Sequence, residues 1–528
     1  MLVQQPHQNV LKGQARSETA FFTNTNRGSN NNGLHEQYQH AYEVPSAKTE
    51  PHLSQCTYLR QTVGYTQKAH IIPREEFHAS VNALWNLIED NPEVRSLFTK
   101  MLEQVPNAPP YDKSPTGGPR LRNWKDLLYA FNDQLARGPT WLYDTPGQQG
   151  LIGFPFNVLL NWSMSTPAGL LAFHRPDVNA RLRDILTAYG RFLSSPASAT
   201  VLNASPTGWL NPTALDAIVS TACRQTTTSS ELDSTTDTTD PCPPPRPQFH
   251  DLFVSNPLHL TYGFASWDAF FTRRFRPGIR PFASPSDDSV IVNTCESRPI
   301  ALERGLKLHD EFWLKGQPYS LLTILGASLA SDTVVGKAEE EEEEEKENKE
   351  LREAMRFEGG TLYQGFLGAL SYHRWHAPVA GTVEKVRKIQ GTYFAGCPGL
   401  ASRRDTNGGG EERKLDPSAP DRSQRYLCQV GTRALVYIRA RDKRLGTVVF
   451  VAVGMAEVSS CQVTVWEGDL VEKGEEIGMF HYGGSTHCLI FEPSVRLKFI
   501  DAVEQVDVKK RGNDLNLPVN GYLAEVVS

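Results

Sequence analysis

The chain has 528 residues, of which 39% are hydrophobic and 22% are charged, a composition typical of a soluble globular protein with two or more domains. Its net charge of −6 comes from residues 337–353, which hold ten Glu and four Lys or Arg, so the remainder of the chain is neutral. This balance excludes the basic footprint of a nucleic-acid-binding protein, and no window of 18 or more apolar residues predicts a transmembrane helix.

The eight cysteines indicate a reducing cellular compartment. They form no C-x-x-C pair and have no zinc-like spacing with histidine, so we expect no metal site. Scattered cysteines in a chain of this length are typical of a reducing compartment, and the N-terminus lacks the apolar core of a secretory signal. We therefore expect a cytoplasmic location, with a mitochondrial presequence as the alternative because the first 30 residues are rich in Ser, Asn and Gln.

The first half of the chain predicts a disordered tail and a helical domain. Residues 1–65 are polar and are predicted to be disordered. Apolar residues recur at helical spacing from Phe77 onward, and residues 91–93 (Asn-Pro-Glu) are typical of a capped helix start. We therefore predict a helical N-terminal domain over residues 66–222 and a Ser/Thr/Pro-rich linker over residues 223–250.

The second half, residues 251–528, predicts a β-rich domain. A short helix over residues 266–275 is followed by β-runs between glycine turns from about residue 289 onward. Two insertions, residues 337–353 and 397–424, interrupt this domain. The acidic run at residues 339–345 is predicted to be a solvated loop or a frayed helix, because its like charges repel. The predicted fold class is α+β.

The most informative motif is Gly483-Gly484-Ser485-Thr486. Gly484 has no Cβ, so it can adopt a strained backbone that aims its carbonyl carbon at the Ser485 hydroxyl. Attack on that carbonyl would convert the amide into an ester, and β-elimination would then release the upstream chain. The alternative is a Gly-Gly hairpin turn before a strand, and the motif taken alone favours that alternative.

A histidine pair lies about a hundred residues upstream. His373 and His376 belong to residues 372–378, Tyr-His-Arg-Trp-His-Ala-Pro. Such a pair can bind metal on a helix, but Pro378 follows at once and no H-E-x-x-H pattern supplies a further ligand. The ordinary alternative is two core histidines satisfied by hydrogen bonds. A neutral imidazole is also the natural base for a serine hydroxyl and the natural acid for a carbanion.

Together these motifs resemble those of the phosphatidylserine decarboxylase family of pyruvoyl enzymes. Five segments match the family's motifs in the expected order: residues 270–281, 315–322, 372–378, 473–480 and 483–486. The resemblance covers roughly residues 255–500. Gly483 replaces the family's Leu, and this change and the added helical domain are similar to a soluble fungal branch that acts on a free amino acid. The implied fold is a decarboxylase domain with barrel-sandwich-like strands.

The resemblance implies roles for four side chains. Ser485 would become the pyruvoyl group, which makes residues 484 and 485 the cleavage site. His376 would be the base for self-cleavage, and His373 would act as acid or base in decarboxylation. Glu296 stands where the family has an Asp that orients the first base, so Glu296 would orient His376 with a side chain longer by one methylene.

The implied function is that of a carboxy-lyase, a pyruvoyl-dependent decarboxylase made by autocatalytic cleavage of a zymogen. Cleavage would leave a β chain of residues 1–484 and an α chain of 44 residues that begins with the pyruvoyl cofactor. The cofactor's ketone would form a Schiff base with the substrate amine and accept electrons as carbon dioxide leaves. The oligomeric state stays open.

The substrate is assigned by analogy alone. We expect an L-amino acid, aromatic such as tryptophan, as in the fungal branch. The alternative is phosphatidylserine, converted to phosphatidylethanolamine by an enzyme docked peripherally on a bilayer. Two further alternatives are a family member that does not cleave, and a carrier module. Residues 376–383 and 467–474 are similar to halves of a biotinyl or lipoyl carrier domain, but the closest candidate for a modified lysine is Lys443.

Overall fold

The structure is a computed structural model. It describes residues 72–115, 120–141, 154–223, 246–309, 319–327, 347–396, 402–404, 413–415, 423–458, 460–482, 485–506 and 515–527. The predicted disordered tail, the acidic run at residues 339–345 and most of the predicted linker lie outside these residues.

The described residues up to 271 are mainly helical. The α-helices here are α1 (Ala79–Asp90), α2 (Pro92–Glu103), α3 (Trp124–Gln134), α4 (Pro155–Leu160), α5 (Pro167–His174), α6 (Pro176–Leu193), α7 (Pro212–Cys223), α8 (Phe249–Leu252) and α9 (Trp267–Phe271). Later in the chain come α10 (Leu321–Leu325), α11 (Gln424–Val430) and α12 (Asp501–Glu504), and residues 347–355 are also helical.

Local signals start these helices where the sequence predicts. The Asn91 side chain accepts hydrogen bonds from the backbone N–H groups of Glu93 and Val94, at 3.0 and 3.1 Å, and Pro92 opens α2. The predicted helix at residues 266–275 is shorter than expected. It begins after Ser266 but ends at Phe271, because the chain then extends and forms a β-bridge between Phe275 and Phe253.

The remainder of the chain is built mainly of short strands. They are β1 (Val290–Val292), β2 (Arg298–Arg304), β3 (Thr361–Leu367), β4 (Arg374–His376), β5 (Gly381–Ile389), β6 (Ser402–Arg404), β7 (Arg413–Leu415), β8 (Arg433–Ala440), β9 (Thr447–Gly454), β10 (Ser460–Val463), β11 (Leu470–Val471), β12 (Glu476–His481), β13 (Ser485–Phe491), β14 (Leu497–Phe499) and β15 (Tyr522–Val526).

The strands form antiparallel sheets. The largest has the order β11-β5-β8-β9-β13-β3-β2, and the others are β10-β12-β4, β1-β15-β14 and β6-β7. Helices and antiparallel sheets together confirm the α+β class. The described strands form no closed barrel, and the barrel-sandwich arrangement stays a prediction.

Two features of the packing position the site. Strand β13 lies inside the large sheet, so alternate side chains enter the two apolar cores on its opposite faces. A third core joins the helices to the β-rich part, since it includes Tyr189 of α6, Phe271 of α9 and Tyr482 at the end of β12. Helices and strands therefore share one hydrophobic core beside the start of β13.

Candidate functional site

Ser485 is the first residue of β13. It lies opposite Gly454 of β9 on one side and Leu367 of β3 on the other. Its hydroxyl oxygen is fully buried and has no hydrogen-bond partner among the described residues. A buried hydroxyl left unpaired costs about 1–3 kcal/mol, so the fold holds a reactive group in an unfavourable position.

The strands on either side of residues 483 and 484 belong to different sheets. Residues 483 and 484 lie outside the described residues, but the strands on either side are clear. Strand β12 pairs with β10 and β4, whereas β13 pairs with β9 and β3. Strands β12 and β13 therefore belong to different sheets and do not pair with each other as the two arms of a hairpin.

His373 lies beside the segment that leads to Ser485. Its carbonyl oxygen accepts a hydrogen bond from the backbone N–H of Phe480, at 2.9 Å. Its ring stacks on Phe271 with centroids 3.9 Å apart, and Phe271 also contacts Tyr482, at 5.7 Å. Tyr482 precedes Ser485 by three residues. The histidine thus belongs to the aromatic cluster around the predicted cleavage site.

The imidazole of His373 is held neutral. The residue is fully buried, and neither ring nitrogen makes a well-aligned hydrogen bond with the described residues. Burial lowers the pKa of His373 well below its ordinary value, and the positive charge of Arg273 lowers it further. The backbone groups of Gly368 and Ser371 oppose this shift only in part. A neutral imidazole can accept a proton at one nitrogen and donate a proton from the other.

His376 is placed differently. It lies on β4 opposite Glu476, and its Nδ1 is 2.7 Å from the carbonyl oxygen of Gly474. That oxygen can only accept, so Nδ1 carries the proton, and Nε2 then accepts from the Tyr372 hydroxyl at 3.1 Å. Burial is the largest influence on the pKa of His376 and lowers it. Both ring nitrogens are therefore engaged.

Glu296 is buried but does not hydrogen-bond to His376. Its carboxylate accepts two hydrogen bonds from Arg280, at 3.0 and 2.6 Å. Further bonds come from the Asn516 side chain, at 3.2 Å, and the Val519 backbone, at 2.9 Å. These four hydrogen bonds occupy both oxygens of the carboxylate. Glu296 makes no hydrogen bond to His376, the contact through which we expected it to orient that ring. The Glu296 charge still raises the pKa of His376, as a minor influence behind burial.

Arg273 and Gly474, which belong to two of the family-like segments, hold the backbone around the two histidines in place. Arg273 is buried and donates hydrogen bonds to the carbonyl groups of Leu370 and Ser371, at 2.6 and 3.0 Å, just before His373. Gly474 has a positive φ of 81°, and its carbonyl oxygen accepts a hydrogen bond from the Nδ1–H group of His376. A Cβ at Gly474 would also lie 2.9 Å from Phe282. Both motifs therefore fix the histidine segment.

The sequence analysis missed His487. It lies on β13 two residues after Ser485 and is fully buried, and neither ring nitrogen makes a well-aligned hydrogen bond with the described residues. The available signal was its spacing of two from Ser485, which places both side chains on one face of a strand. Among the described residues, no group of three or more His, Cys, Asp or Glu side chains is arranged to hold a metal ion.

Comparisons with known proteins bear on this site. Two family models, both described as phosphatidylserine decarboxylase, match residues 78–218 and 267–514. The chain is 37% identical over 354 residues to the decarboxylase iboD of Amanita muscaria, an alignment that covers 66% of this chain and 87% of that protein.

Two further relatives differ in the share of the chain that they match. The L-tryptophan decarboxylase of Psilocybe cubensis is 29% identical over 451 residues, which are 84% of this chain and 85% of that protein. Phosphatidylserine decarboxylase proenzyme 3 of Schizosaccharomyces pombe is 30% identical over 248 residues, which are 47% of this chain and 21% of that protein. In the described part of the chain, no helix has the length and apolar character needed to span a bilayer.

The buried Arg280–Glu296 pair predicts a large effect on stability. We expect Glu296→Gln to lower the free energy of unfolding by about 3–5 kcal/mol, because it leaves the Arg280 guanidinium buried without its counter-charge. The matched control is Asp184→Asn, whose partner Arg181 lies at the surface, and its cost should stay below about 1 kcal/mol. Urea unfolding followed by circular dichroism measures both. Equal losses in the two variants would contradict the interpretation.

Proposed function

Because this chain belongs to the phosphatidylserine decarboxylase family, whose members are carboxy-lyases, we propose that it cuts itself between Gly484 and Ser485 and then decarboxylates an L-amino acid. The observation that carries the proposal is the Ser485 hydroxyl, which is fully buried and without a partner among the described residues. A second observation supports it: His373, with both ring nitrogens free of well-aligned bonds, contacts the aromatic cluster beside that serine.

Self-cleavage would use the buried, unpaired hydroxyl of the serine. The Ser485 hydroxyl would attack the preceding carbonyl carbon, the C–N bond would break, and the resulting ester would lose the upstream chain as a carboxylate by β-elimination. Water would then hydrolyse the remaining dehydroalanine to a ketone and release ammonia. An unpaired hydroxyl supports this step, because no existing hydrogen bond has to be broken first.

The residues present fit a pyruvoyl group made from Ser485. The group is formed from the chain itself, so it needs no binding pocket beyond the surroundings of the serine. It supplies an electrophilic carbonyl that binds a primary amine and accepts electrons as carbon dioxide leaves. The buried surroundings exclude water and so favour loss of the substrate carboxylate.

His373 is proposed to hold the proton that replaces the carboxylate. Its ring lies against Phe271 and near the strand that leads to Ser485, and its neutral imidazole can take up and deliver a proton. The roles that the resemblance implies for His376 and Glu296 stay predictions. His376 would have to give up its contact with Tyr372 before its Nε2 could act as a base.

The proposed substrate is an aromatic L-amino acid such as tryptophan. The alignment with the Psilocybe cubensis L-tryptophan decarboxylase spans both the helical and the β-rich regions, whereas the alignment with the Schizosaccharomyces pombe phosphatidylserine decarboxylase spans about half of the chain. Phosphatidylserine is the second candidate, supported by the description of the family models. A cytoplasmic location is proposed with the amino-acid substrate.

One assay separates the substrates. The purified enzyme is incubated with carboxyl-labelled tryptophan, with other L-amino acids and with phosphatidylserine vesicles, and released carbon dioxide is measured. We expect release from an aromatic amino acid in the absence of lipid. Release from vesicles alone would exclude the amino-acid proposal and leave the phospholipid as the substrate.

Self-cleavage predicts the behaviour of Ser485→Ala. The variant should remain one uncut chain of 528 residues without decarboxylase activity, because no hydroxyl can attack and no ketone can form. The wild-type protein should show a large fragment and a 44-residue fragment on a denaturing gel. An uncut wild-type protein would favour a non-cleaving family member, and a mass gain on an intact chain would favour a carrier.

Loss of the proposed proton donor should separate cutting from catalysis. In His373→Asn we expect the 44-residue fragment still to form, while carbon dioxide release per cut chain falls by about 10²–10⁴-fold. The control is His174→Asn, which changes an exposed histidine of α5 that is hydrogen-bonded to Tyr426 and lies outside the site. Unchanged release per cut chain in His373→Asn would remove His373 from the decarboxylation step.

A further inference from the structure

Glu457 carries a buried carboxyl group that the proposed mechanism does not yet use. The residue is 5% exposed and belongs to a short 3₁₀ turn, Ala456–Val458, that follows β9. Its Oε1 atom accepts a hydrogen bond from the backbone N–H of Asn157 in α4, at 2.9 Å. Its Oε2 atom is also buried but makes no well-aligned hydrogen bond with the described residues. One oxygen therefore holds α4, and the other is left to bind something else.

The described surroundings of Glu457 supply no counter-charge. Helix α4, which Glu457 contacts, and strand β9, which it follows, contain no charged residue. The third neighbour is Tyr393, whose carbonyl oxygen accepts a hydrogen bond from the backbone N–H of Ala456, at 2.9 Å, and whose phenol bonds to Gln390. A buried carboxylate without a cation is unfavourable, so this group is suited to a ligand that brings a positive charge.

The charge state of Glu457 is sensitive to pH near neutrality. Burial raises the pKa of its carboxyl group to about 7, and the backbone N–H groups of residues 156 and 157 oppose this shift only in part. The free energy of unfolding should therefore fall as pH rises from the ordinary Glu pKa of about 4.3 to about 7, where the fold begins to hold an ionised group. Acids perturbed in this way concentrate at functional sites.

Two connections place Glu457 near the start of β13. Along the large sheet, Glu457 follows Gly454 by three residues, and Gly454 is paired with Ser485. Across the helical core, α4 begins directly after Phe154, whose ring lies 6.2 Å from that of Tyr482. Tyr482 precedes Ser485 by three residues. The carboxyl group thus adjoins the region in which the proposed ketone is formed.

The proposed reaction brings a cation to this region. An amino acid carries its amino group as an ammonium ion at neutral pH. An ammonium ion has no lone pair, so it must lose one proton before its nitrogen can attack a ketone. A carboxylate whose pKa lies near the ambient pH is well matched to take such a proton and to return it later.

We propose that Glu457 binds the ammonium group of the substrate and removes the proton that must leave before the amine attacks the ketone. The inference rests on the proposed function, because it assigns a catalytic residue to that same reaction. The ammonium N–H bond breaks, its proton passes to Oε2, and the nitrogen keeps the electron pair that forms the new C–N bond. The proton later leaves with the ketone oxygen as water, so Glu457 is recharged and no further reactant is needed.

Holding α4 does not by itself require an acid at this position. A Gln side chain offers the same Oε1 atom to the backbone N–H of Asn157 and brings no buried charge. Glu457→Gln therefore keeps the contact with α4 and removes only the base. We expect its urea midpoint at pH 8 to equal or exceed that of the wild type, because the cost of the ionised carboxyl is gone. A lower midpoint would assign the acid a structural role and overturn the inference.

The kinetic test compares Glu457→Gln with the wild type across pH. Carbon dioxide release from carboxyl-labelled tryptophan is measured per cut chain. We expect the variant to form the 44-residue fragment at the wild-type rate, while its kcat/KM at pH 7 falls about 10²-fold. The control is Glu353→Gln, whose carboxylate is paired with Lys385 at 2.6 Å outside the site, and it should match the wild type.

The pH profile distinguishes a base from a residue that only shapes the site. Wild-type kcat/KM should fall about tenfold per pH unit below pH 7, and Glu457→Gln should lack this limb. Burial lowers the pKa values of His373 and His376, so neither supplies a limb at pH 7. The deficit of the variant should also shrink in alkaline solution, because an amine that is already neutral needs no base.

Three results would overturn the inference: wild-type kcat/KM in Glu457→Gln, an equal loss at every pH, or a wild-type profile without the acidic limb. A failure of the proposed function looks different. In that case the wild-type protein itself stays uncut or releases no carbon dioxide from tryptophan, the other amino acids or phosphatidylserine. If phosphatidylserine alone is decarboxylated, the same comparison is made with phosphatidylserine vesicles, since that lipid also presents an ammonium group.

Discussion

The pairing of β13 on both edges is the constraint on which the candidate site depends. Because β9 and β3 bind the backbone of this strand on its two sides, Ser485 and His487 cannot turn toward solvent without breaking the large sheet. The side chains therefore stay in an apolar core although each carries polar atoms without partners among the described residues. Such unpaired groups are rare in folded proteins and concentrate where a protein performs chemistry. One of the unpaired groups of this protein is the hydroxyl that the proposed reaction consumes.

Sequence patterns predicted the elements whose signals are local. The cap at Asn91 and the apolar spacing of α1 and α6 depend on neighbours within one turn, and the structure has them as expected. The candidate residues Ser485 and His373 were also recognisable, because motifs mark them. The partners of Glu296 were not, since Arg280, Asn516 and Val519 are distant in sequence and only the fold brings them together. His487 was missed for another reason: its significance comes from burial without partners, which a sequence does not reveal.

The motif residues divide into reactive groups and groups that hold the backbone. Arg273 contacts two carbonyl groups just ahead of His373, and burial lowers the pKa of its guanidinium to about 9. Lys473 reaches the carbonyl groups of Ser284 and Asp287, both at 2.7 Å, and so anchors the turn that contains Gly474. Charged side chains that end on backbone carbonyls fix loops in position. A family motif can therefore be diagnostic even where its residues perform no chemistry.

One hydrophobic core joins the helical region to the strands beside the candidate site. Tyr482 contacts Phe154, just before α4, at 6.2 Å and Tyr189 of α6 at 5.7 Å. The same tyrosine contacts Phe271, which stacks on His373. Edge-to-face aromatic contacts of this kind fix ring orientation as well as burying apolar area. A substitution in α6 that moved Tyr482 would therefore also disturb the ring against which His373 rests. Because aromatic rings from the helices and from the strands meet beside β13, the helical region takes part in shaping the surroundings of Ser485.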